Sequence, residues 1–246
     1  MRVTKDYHVH SKFSHVRHAK NTVEEIVNKA IEVGLKEIAI TNHGLSHITY
    51  GIRKRHLLSL RKEINELQMK YPNIKILLGV EANILSLNGD IDVTQDIIDN
   101  CDIVLCGYHT FVGYKTFKDF WSFMVLNKLA KKFGWFVEKQ RKSNTQAIVK
   151  AMESKKINIL THPGEKLIVD IEKIAKSAEK NSIILEINSS HKHLSTEELK
   201  VCKLYDIKYI INSDSHSIDT IGDYKSGIDR AVESNINLKE VINLEI

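Results

Sequence analysis

Short apolar runs, each about one β-strand long, recur along this chain, and most end on a histidine or a carboxylate. The first leads into His8-Val9-His10 and the next, Glu37-Ile38-Ala39-Ile40-Thr41, into Asn42-His43-Gly44. Residues 74–80 end at Glu81, 103–107 at Tyr108-His109, and 157–160 at Thr161-His162-Pro163-Gly164. Residues 183–187 end at Asn188-Ser189-Ser190, and 208–211 at Asn212-Ser213-Asp214-Ser215-His216. Continuous rather than alternating apolar character marks strands covered on both faces, the habit of parallel sheets. Helical patterns lie between the runs. The first is capped near Asn21-Thr22, has Glu24 and Glu25 in its opening turn and stops at Gly34, as the helix dipole and a left-handed C-terminal stop favour. Others are expected over 53–70 and 94–100, from Asn144-Thr145 to about 154, over 170–180, after the Ser195/Glu198 capping box, and over 219–234.

Seven strands alternating with helices predict an α/β fold with a parallel sheet. The carboxyl ends of such strands gather on one rim, where functional loops assemble. Ligand-type residues follow six of the seven strands, so this topology brings His8, His10, His15, His43, Glu81, His109, His162, Asp214 and His216 into one basin. In an extended strand His8 and His10 project from the same face and can clamp one ion. A single ion uses three or four protein ligands, so this many candidates implies more than one. Imidazole with carboxylate suits zinc, manganese or iron, with zinc first by ligand type, and without thiolate ligands a zinc knot or iron–sulfur cluster is excluded. His18, His47, His56, His191 and His193 fall off the strand ends and are read as solvated or substrate-contacting. His191-Lys192-His193 repeats the spacing of the first pair, but in a polar loop.

At 246 residues with 42% apolar content, the chain suits one domain with a sizeable core. No apolar run approaches the roughly 20 residues that span a bilayer, and the N-terminus lacks a signal-peptide pattern, so a cytoplasmic protein is expected. Cys101, Cys106 and Cys202 lack ribbon or redox spacing and read as reduced, mostly buried thiols. The charge of +5 is too small to argue for nucleic acid without a clustered patch. Dinucleotide-binding, phosphate-loop and nucleophile-elbow motifs are absent, and Asn188-Ser189-Ser190 reads as a hydrogen-bonding group for a bound anion. Residues 110–143 exceed a normal strand-to-helix connection and are read as a helical insertion. Within it, Phe133, Trp135 and Phe136 are expected on a buried helix face with the lysines on its solvated back, making a lid rather than a nucleic-acid track. Asn88-Gly89 reads as a turn between 84–85 and 91–92.

In order, His8-Val9-His10, Thr41-Asn42-His43-Gly44, Gly79-Val80-Glu81-Ala82-Asn83, Gly107-Tyr108-His109, Thr161-His162-Pro163-Gly164, Glu186-Ile187-Asn188 and Ser213-Asp214-Ser215-His216 resemble the PHP family, named for its polymerase and histidinol phosphatase members. The resemblance spans nearly the whole chain and is closest to the stand-alone phosphatase branch. It implies a distorted seven-unit (β/α) barrel over 1–246, with three divalent metal ions at the carboxyl rim, hydrolysing phosphate esters. It further implies that His8, His10, Glu81 and Asp214 hold one ion, that Glu81 bridges to a second held with His109 and His162, and that His15, His43 and His216 hold the third, with His18 the alternative to His15. Asn42 departs from the aspartate frequent in the family. Glu81, Asp214 and His216 form the expected catalytic set around a metal-activated water, and Arg17, His18, Asn188 and Ser189 the expected substrate contacts. The expected reaction is hydrolysis of a small phosphomonoester, such as histidinol phosphate or a sugar or nucleotide phosphate. A nuclease or phosphodiesterase is the alternative, and a non-catalytic polymerase-associated module the weaker one. Partners are a small phosphorylated substrate and, by the stand-alone relatives, further copies of the chain.

Overall fold

The structure is a computed structural model describing residues 1–154 and 156–246, with the side chain of Arg17 outside the description. Strand β1 (Arg2–Val3) precedes β2 (Lys5–Val9), α1 (Val23–Glu32), β3 (Glu37–Ile40), α2 (Lys54–Lys70), β4 (Lys75–Asn83), α3 (Gln95–Ile98) and β5 (Ile103–Gly107). A helical connection follows, made of α4 (Phe117–Phe120), a π-helical stretch (Trp121–Leu126) and α5 (Asn127–Phe133). The chain then continues through α6 (Val137–Glu153), β6 (Ile159–Leu160), α7 (Ile171–Asn181), β7 (Ile184–Asn188), α8 (Thr196–Cys202), β8 (Tyr209–Asn212), α9 (Lys225–Glu233) and β9 (Leu244–Glu245).

Strands β2 to β8 pair in parallel in sequential order, a seven-strand, nearly closed barrel with helices outside. Residues of one parity along β3 to β8 face inward. Ala39, Leu77, Ile103, Leu105, Ile159, Ile184 and Ile210 cluster with Tyr7 as an apolar plug, while their strand neighbours pack against the helices in a larger core. Continuing the inward parity toward the carboxyl ends reaches Glu81, Gly107, Thr161, Glu186 and Asn212. The plug therefore gives way to a polar layer one step higher. A register shift in β2 between Asp6 and Val9 lets His8 join this layer although its neighbour Tyr7 belongs to the plug.

The seam between β2 and β8 is joined largely by side chains. Tyr7 N–H donates to Asn212 Oδ1 at 2.9 Å, and Val9 bridges Ser215 beyond the end of β8. From the C-terminal segment, buried Asn243 donates to Lys5 O (2.7 Å) and Ile211 O (2.6 Å) and accepts from Ile211 N–H (3.1 Å). The antiparallel pair β1·β9, unforeseen in the sequence, lies next to this clamp.

Three expectations are corrected. Asn144 and Thr145 do not cap a helix; they are buried inside α6. Asn144 donates to Asn127 Oδ1 and Ile168 O, both at 3.0 Å, and Thr145 Oγ1 accepts from Asp170 N–H, so distant loops supply the partners that a cap would have used. Phe133, Trp135 and Phe136 are 53%, 58% and 56% exposed. Gly134 ends α5 at φ 72° and Phe136 stands at φ 58°, so the helical spacing that would have buried them as one face is broken. The last helix is interrupted at Gly222 (φ 101°), leaving a single 3-10 turn before α9. The 84–92 hairpin is present, with Ile84 bridging Ile91 and Gly89 at φ 77°. The three cysteines are free, Cys106 and Cys202 buried and Cys101 partly so, and burial pushes the Cys101 thiol up to about 11 and that of Cys202 to about 12. Among the described residues no helix is long and apolar enough to cross a membrane.

Asn243→Ala leaves three buried backbone groups at the seam unpartnered. It is expected to lower unfolding free energy by roughly 2–4 kcal/mol in urea titrations, whereas Lys239→Ala, on the exposed turn nearby, changes it little.

Candidate metal centre at the barrel rim

Glu81, fully buried at the carboxyl end of β4, is the residue on which the rim histidines converge. Its Oε1 lies 3.0 Å from His162 Nε2 and 3.2 Å from His109 Nε2, and its Oε2 lies 2.8 Å from His43 Nδ1 and 3.3 Å from His8 Nε2. Thr161 Oγ1 donates to Oε1 at 3.0 Å. Gly107 makes room for this: a Cβ there would stand 2.3 Å from Thr161 Oγ1 and 3.4 Å from Glu81 Oε1. Asp214 approaches from the other side, its Oδ1 lying 3.2 Å from His10 Nε2 and 3.3 Å from His8 Nε2. His216 stacks on His10 with ring centroids 4.2 Å apart, and His43 lies 4.5 Å from the same ring. Among the described residues four overlapping groups have the spacing to hold an ion: His8/His10/Asp214, His8/Glu81/His162, His43/Glu81/His109 and His10/His43/His216.

Supporting groups fix which ring atoms face inward. His8 Nδ1 lies 2.7 Å from Glu186 Oε1, which keeps a proton on Nδ1 and turns Nε2 toward Glu81 and Asp214, where a metal ion would take the place of a second proton. His216 does the same through Asp214 O, 2.9 Å from its Nδ1. Glu186, noted in the sequence only as part of a motif, is given no site role there. It lies inside β7, before the polar segment that ends the strand, and its other contacts are His162 N–H (2.9 Å), Asn188 Nδ2 (3.0 Å) and Asn212 Nδ2 (2.9 Å). The inward parity shared with Glu81 was the signal that could have found it. Asp6 similarly accepts from His8 N–H, Ser213 and Tyr224 Oη, and burial raises its carboxyl to about 6.

Burial and neighbouring imidazoles keep several rings neutral, which leaves their lone pairs free. Burial lowers His109 to about 3 despite Glu81, and burial with His216 and His43 nearby lowers His18 to about 3 and His10 well below the ordinary range. Burial also acts against protonation of His8, but Asp214, Glu81 and Glu186 together hold its pKa well above the usual value. Glu81 is held far down by His109, His8 and His43 in spite of its burial. His8 Nε2, His10 Nδ1, His43 Nδ1, His109 Nδ1, His216 Nε2 and Glu81 Oε2 are buried without a hydrogen-bond partner. Orphaned buried polar atoms carry a penalty of about 1–3 kcal/mol each, and so many in one place fit divalent ions. His162 (φ 28°) and Asp214 (φ 54°) both hold left-handed backbone, a local cost that recurs at functional sites.

His15 does not join the cluster. It is exposed on the 3-10 turn after β2, its Nε2 3.2 Å from Arg53 Nη2. His18 enters instead, 3.3 Å from His43 Nε2 and stacked on Tyr50 at 3.8 Å. The turn at Val16 (φ 55°) separates the two rings, which local sequence could not rank. Asn42 does not support His43. Its Oδ1 accepts from Ser11 N–H (2.8 Å) and Ser14 Oγ (2.7 Å), so it shapes the loop that delivers His18. Asn188 is also not free for an anion: Nδ2 donates to Glu186 and Asp214, and Oδ1 accepts from the Ser190 and His191 amides. Ser189 Oγ is buried where a Cβ on Gly227 would meet it at 2.8 Å, facing α9. The expected contact from Arg17 lies outside the described residues.

The mouth above the cluster is a cavity of about 370 Å³. Its wall includes His18, His47, Tyr50, Phe111, Glu165, Lys166 and His191 beside His43, His109, His162, Asp214 and His216. Of the histidines read as off-pattern, His18, His47 and His191 therefore reach the cavity, while His56 and His193 do not.

The PHP domain is matched over residues 6–244. A protein of Shewanella piezotolerans named "Probable phosphatase" is 31% identical over 242 residues, covering 95% of this chain and 84% of that protein. The crystal structure of histidinol phosphate phosphatase from Lactococcus lactis subsp. lactis Il1403, complexed with zinc, L-histidinol and phosphate, superposes with a TM-score of 0.65 at 16% identity, covering 96% of this chain and 95% of that one. At that identity the superposition speaks for the fold, which is the same barrel. Sequential parallel topology, histidines at the strand ends and a family match over almost every residue agree: this chain belongs to the PHP domain family.

Proposed function

We propose that the chain, acting as one unit over 1–246, is a metal-dependent phosphatase of small phosphomonoesters. The observation that carries this reading is the set of buried, unpartnered imidazole and carboxylate atoms around Glu81. His8, His10, Glu81 and Asp214 would hold one divalent ion, and Glu81, His109 and His162 a second. His43, His216 and His18 would hold a third, with His18 replacing the His15 of the sequence-based assignment. Zinc suits this nitrogen-rich set best, ahead of manganese and iron. Such ions supply Lewis-acid neutralisation of phosphoryl charge and acidify bound water toward neutral pH.

The protein's own groups account for the remaining requirements. Glu186 and the Asp214 carbonyl hold His8 and His216 in the tautomers that present Nε2. Thr161 and Gly107 keep the Glu81 carboxylate in place. The apolar plug below, with Tyr7, Leu105 and Ile210, closes the inner side of the site to water, so polar interactions inside act at reduced dielectric. Lys166 at the rim supplies positive charge toward an anionic ester. Glu81, Asp214 and His216 remain the expected catalytic set: Asp214 and His216 line the cavity in which phosphate would sit, and Glu81, buried beneath them, would act through the ions it holds. The cavity volume, about 370 Å³, matches a small ligand. We assign the chain to the cytoplasm and treat self-association as compatible with this function.

Elemental analysis of protein purified without chelator should find about two to three transition-metal equivalents per chain. Glu81→Gln should remove about two of them and His18→Ala about one, while His15→Ala should keep the full content; loss on His15→Ala but not on His18→Ala would reverse the assignment of the third ion. Glu186→Gln should weaken metal retention by roughly 10–100-fold, read by competition with a chromogenic chelator.

With the metal-loaded enzyme, small phosphomonoesters should turn over faster than a dinucleotide or a single-stranded oligonucleotide at matched concentration. Salt-sensitive degradation of the oligonucleotide with negligible monoester hydrolysis would identify a nuclease instead.

A further inference from the structure

Beside the metal cavity, on the side of α5 and the π-helical stretch, lies a second cavity of about 460 Å³. Three residues, Thr110, Phe111 and Lys166, line both, so the two spaces share one wall. Phe111 and Lys166 both hold left-handed backbone, at φ 59° and 61°. That conformation is disfavoured for a residue with a Cβ, so the surrounding structure must impose it. It does so by pairing. Phe111 O accepts from Ile48 N–H at 2.9 Å, His47 bridges Val112, and Lys166 O accepts from the buried Asn127 side chain of α5 at 2.6 Å. The aromatic ring of Phe111, 62% exposed, is thereby held on the wall between the two spaces.

The floor of the second cavity is apolar, from Tyr108, Phe123 and Met124, and its outer edge is basic, from Lys128, Lys131 and Lys132 with Lys166. None of its lining residues is acidic, and among the described residues no carboxylate comes within ion-pair distance of these four lysines (compare the pairs formed elsewhere by Lys5, Lys70 or Lys225). His43 and His109 line the first cavity, and His109 directly precedes the shared residues Thr110 and Phe111 in the chain, so a phosphoryl group held by these rings would lie next to the second cavity. We propose that the cavity is the subsite for the alcohol half of the substrate, and that it takes an elongated phosphomonoester, apolar or aromatic next to the ester and anionic at its far end. The inference rests on the phosphatase reading and narrows it. An ester whose alcohol carries a cation, as histidinol phosphate does through its ammonium group, is disfavoured by the lysine edge.

The test uses biphenyl phosphates whose far ring bears a carboxylate, a carboxamide or an aminomethyl group, with the metal-loaded enzyme. The carboxylate is expected to exceed the carboxamide about tenfold in kcat/KM, as several exposed charge pairs acting together supply, with the aminomethyl ester slowest. Raising the salt concentration should shrink the preference, and K128Q/K131Q/K132Q, which keeps the side-chain stems, should bring the carboxylate-to-carboxamide ratio to about one. Calorimetry with the corresponding non-hydrolysable phosphonates reads the same preference without turnover. Charge-selective binding of the phosphonates with no hydrolysis of any ester would refute the phosphatase reading while retaining the groove; equal kcat/KM and equal affinity for all three groups would overturn the groove.

Discussion

One carboxylate, that of Glu81, is buried at the centre of the barrel mouth with four imidazoles within 3.3 Å of its two oxygens. Isolated in a low-dielectric interior, such a carboxylate would cost far more than the few kcal/mol that separate folded from unfolded states. It is tolerated because each strand around it ends on a group that interacts with it or with its neighbours. The rest of the upper barrel follows from that need: Gly107 vacates space, Thr161 donates, Glu186 fixes His8 and the His162 amide, and Asp214 satisfies His10 from the opposite side. The lower barrel, by contrast, is an ordinary apolar plug. Stability and chemistry are thus stacked along one axis, with the change occurring over a single residue of inward parity on each strand.

This stacking explains why the barrel is pinned rather than fully paired at its seam. His8 has to face inward although Tyr7 already does, and the register shift in β2 that achieves this interrupts the regular ladder. Asn212 and Asn243 replace the missing backbone bonds with side-chain amides, and the C-terminal segment is drawn across the seam to supply the second of them. The inward placement of His8 is in this way connected to a structural contact more than two hundred residues later in the chain.

The connection between β5 and α6 adds one wall of the second cavity without disturbing that core. It is tied to the barrel by buried amides, with Asn127 and Asn144 reaching the loop after β6. Apart from Phe111, its exposed aromatics lie on α4, at the start of the π-helical stretch and around the turn after α5, and Lys128, Lys131 and Lys132 lie on α5. In the proposed function this segment selects the alcohol half of the ester, while the strand ends handle the phosphate.

What the sequence determined by itself was the periodic part: seven apolar runs with polar ends, the caps at Thr22 and Ser195, and the identity of most side chains at the rim. Those features depend on short-range patterning and on a topological rule that sends strand carboxyl ends to one face. Tertiary structure alone decided the choices that local sequence leaves equal. His15 and His18 lie in one polar loop, and only the left-handed turn at Val16 sends one outward and the other onto Tyr50. Asn144 looks like a cap until a distant loop takes up its amide, and Asn188 looks available to an anion until Glu186 and Asp214 occupy it. Glu186 reads as one charged residue inside an apolar strand, and its role depends on partners from β2, β6 and β8 that only the closed barrel brings within hydrogen-bond reach.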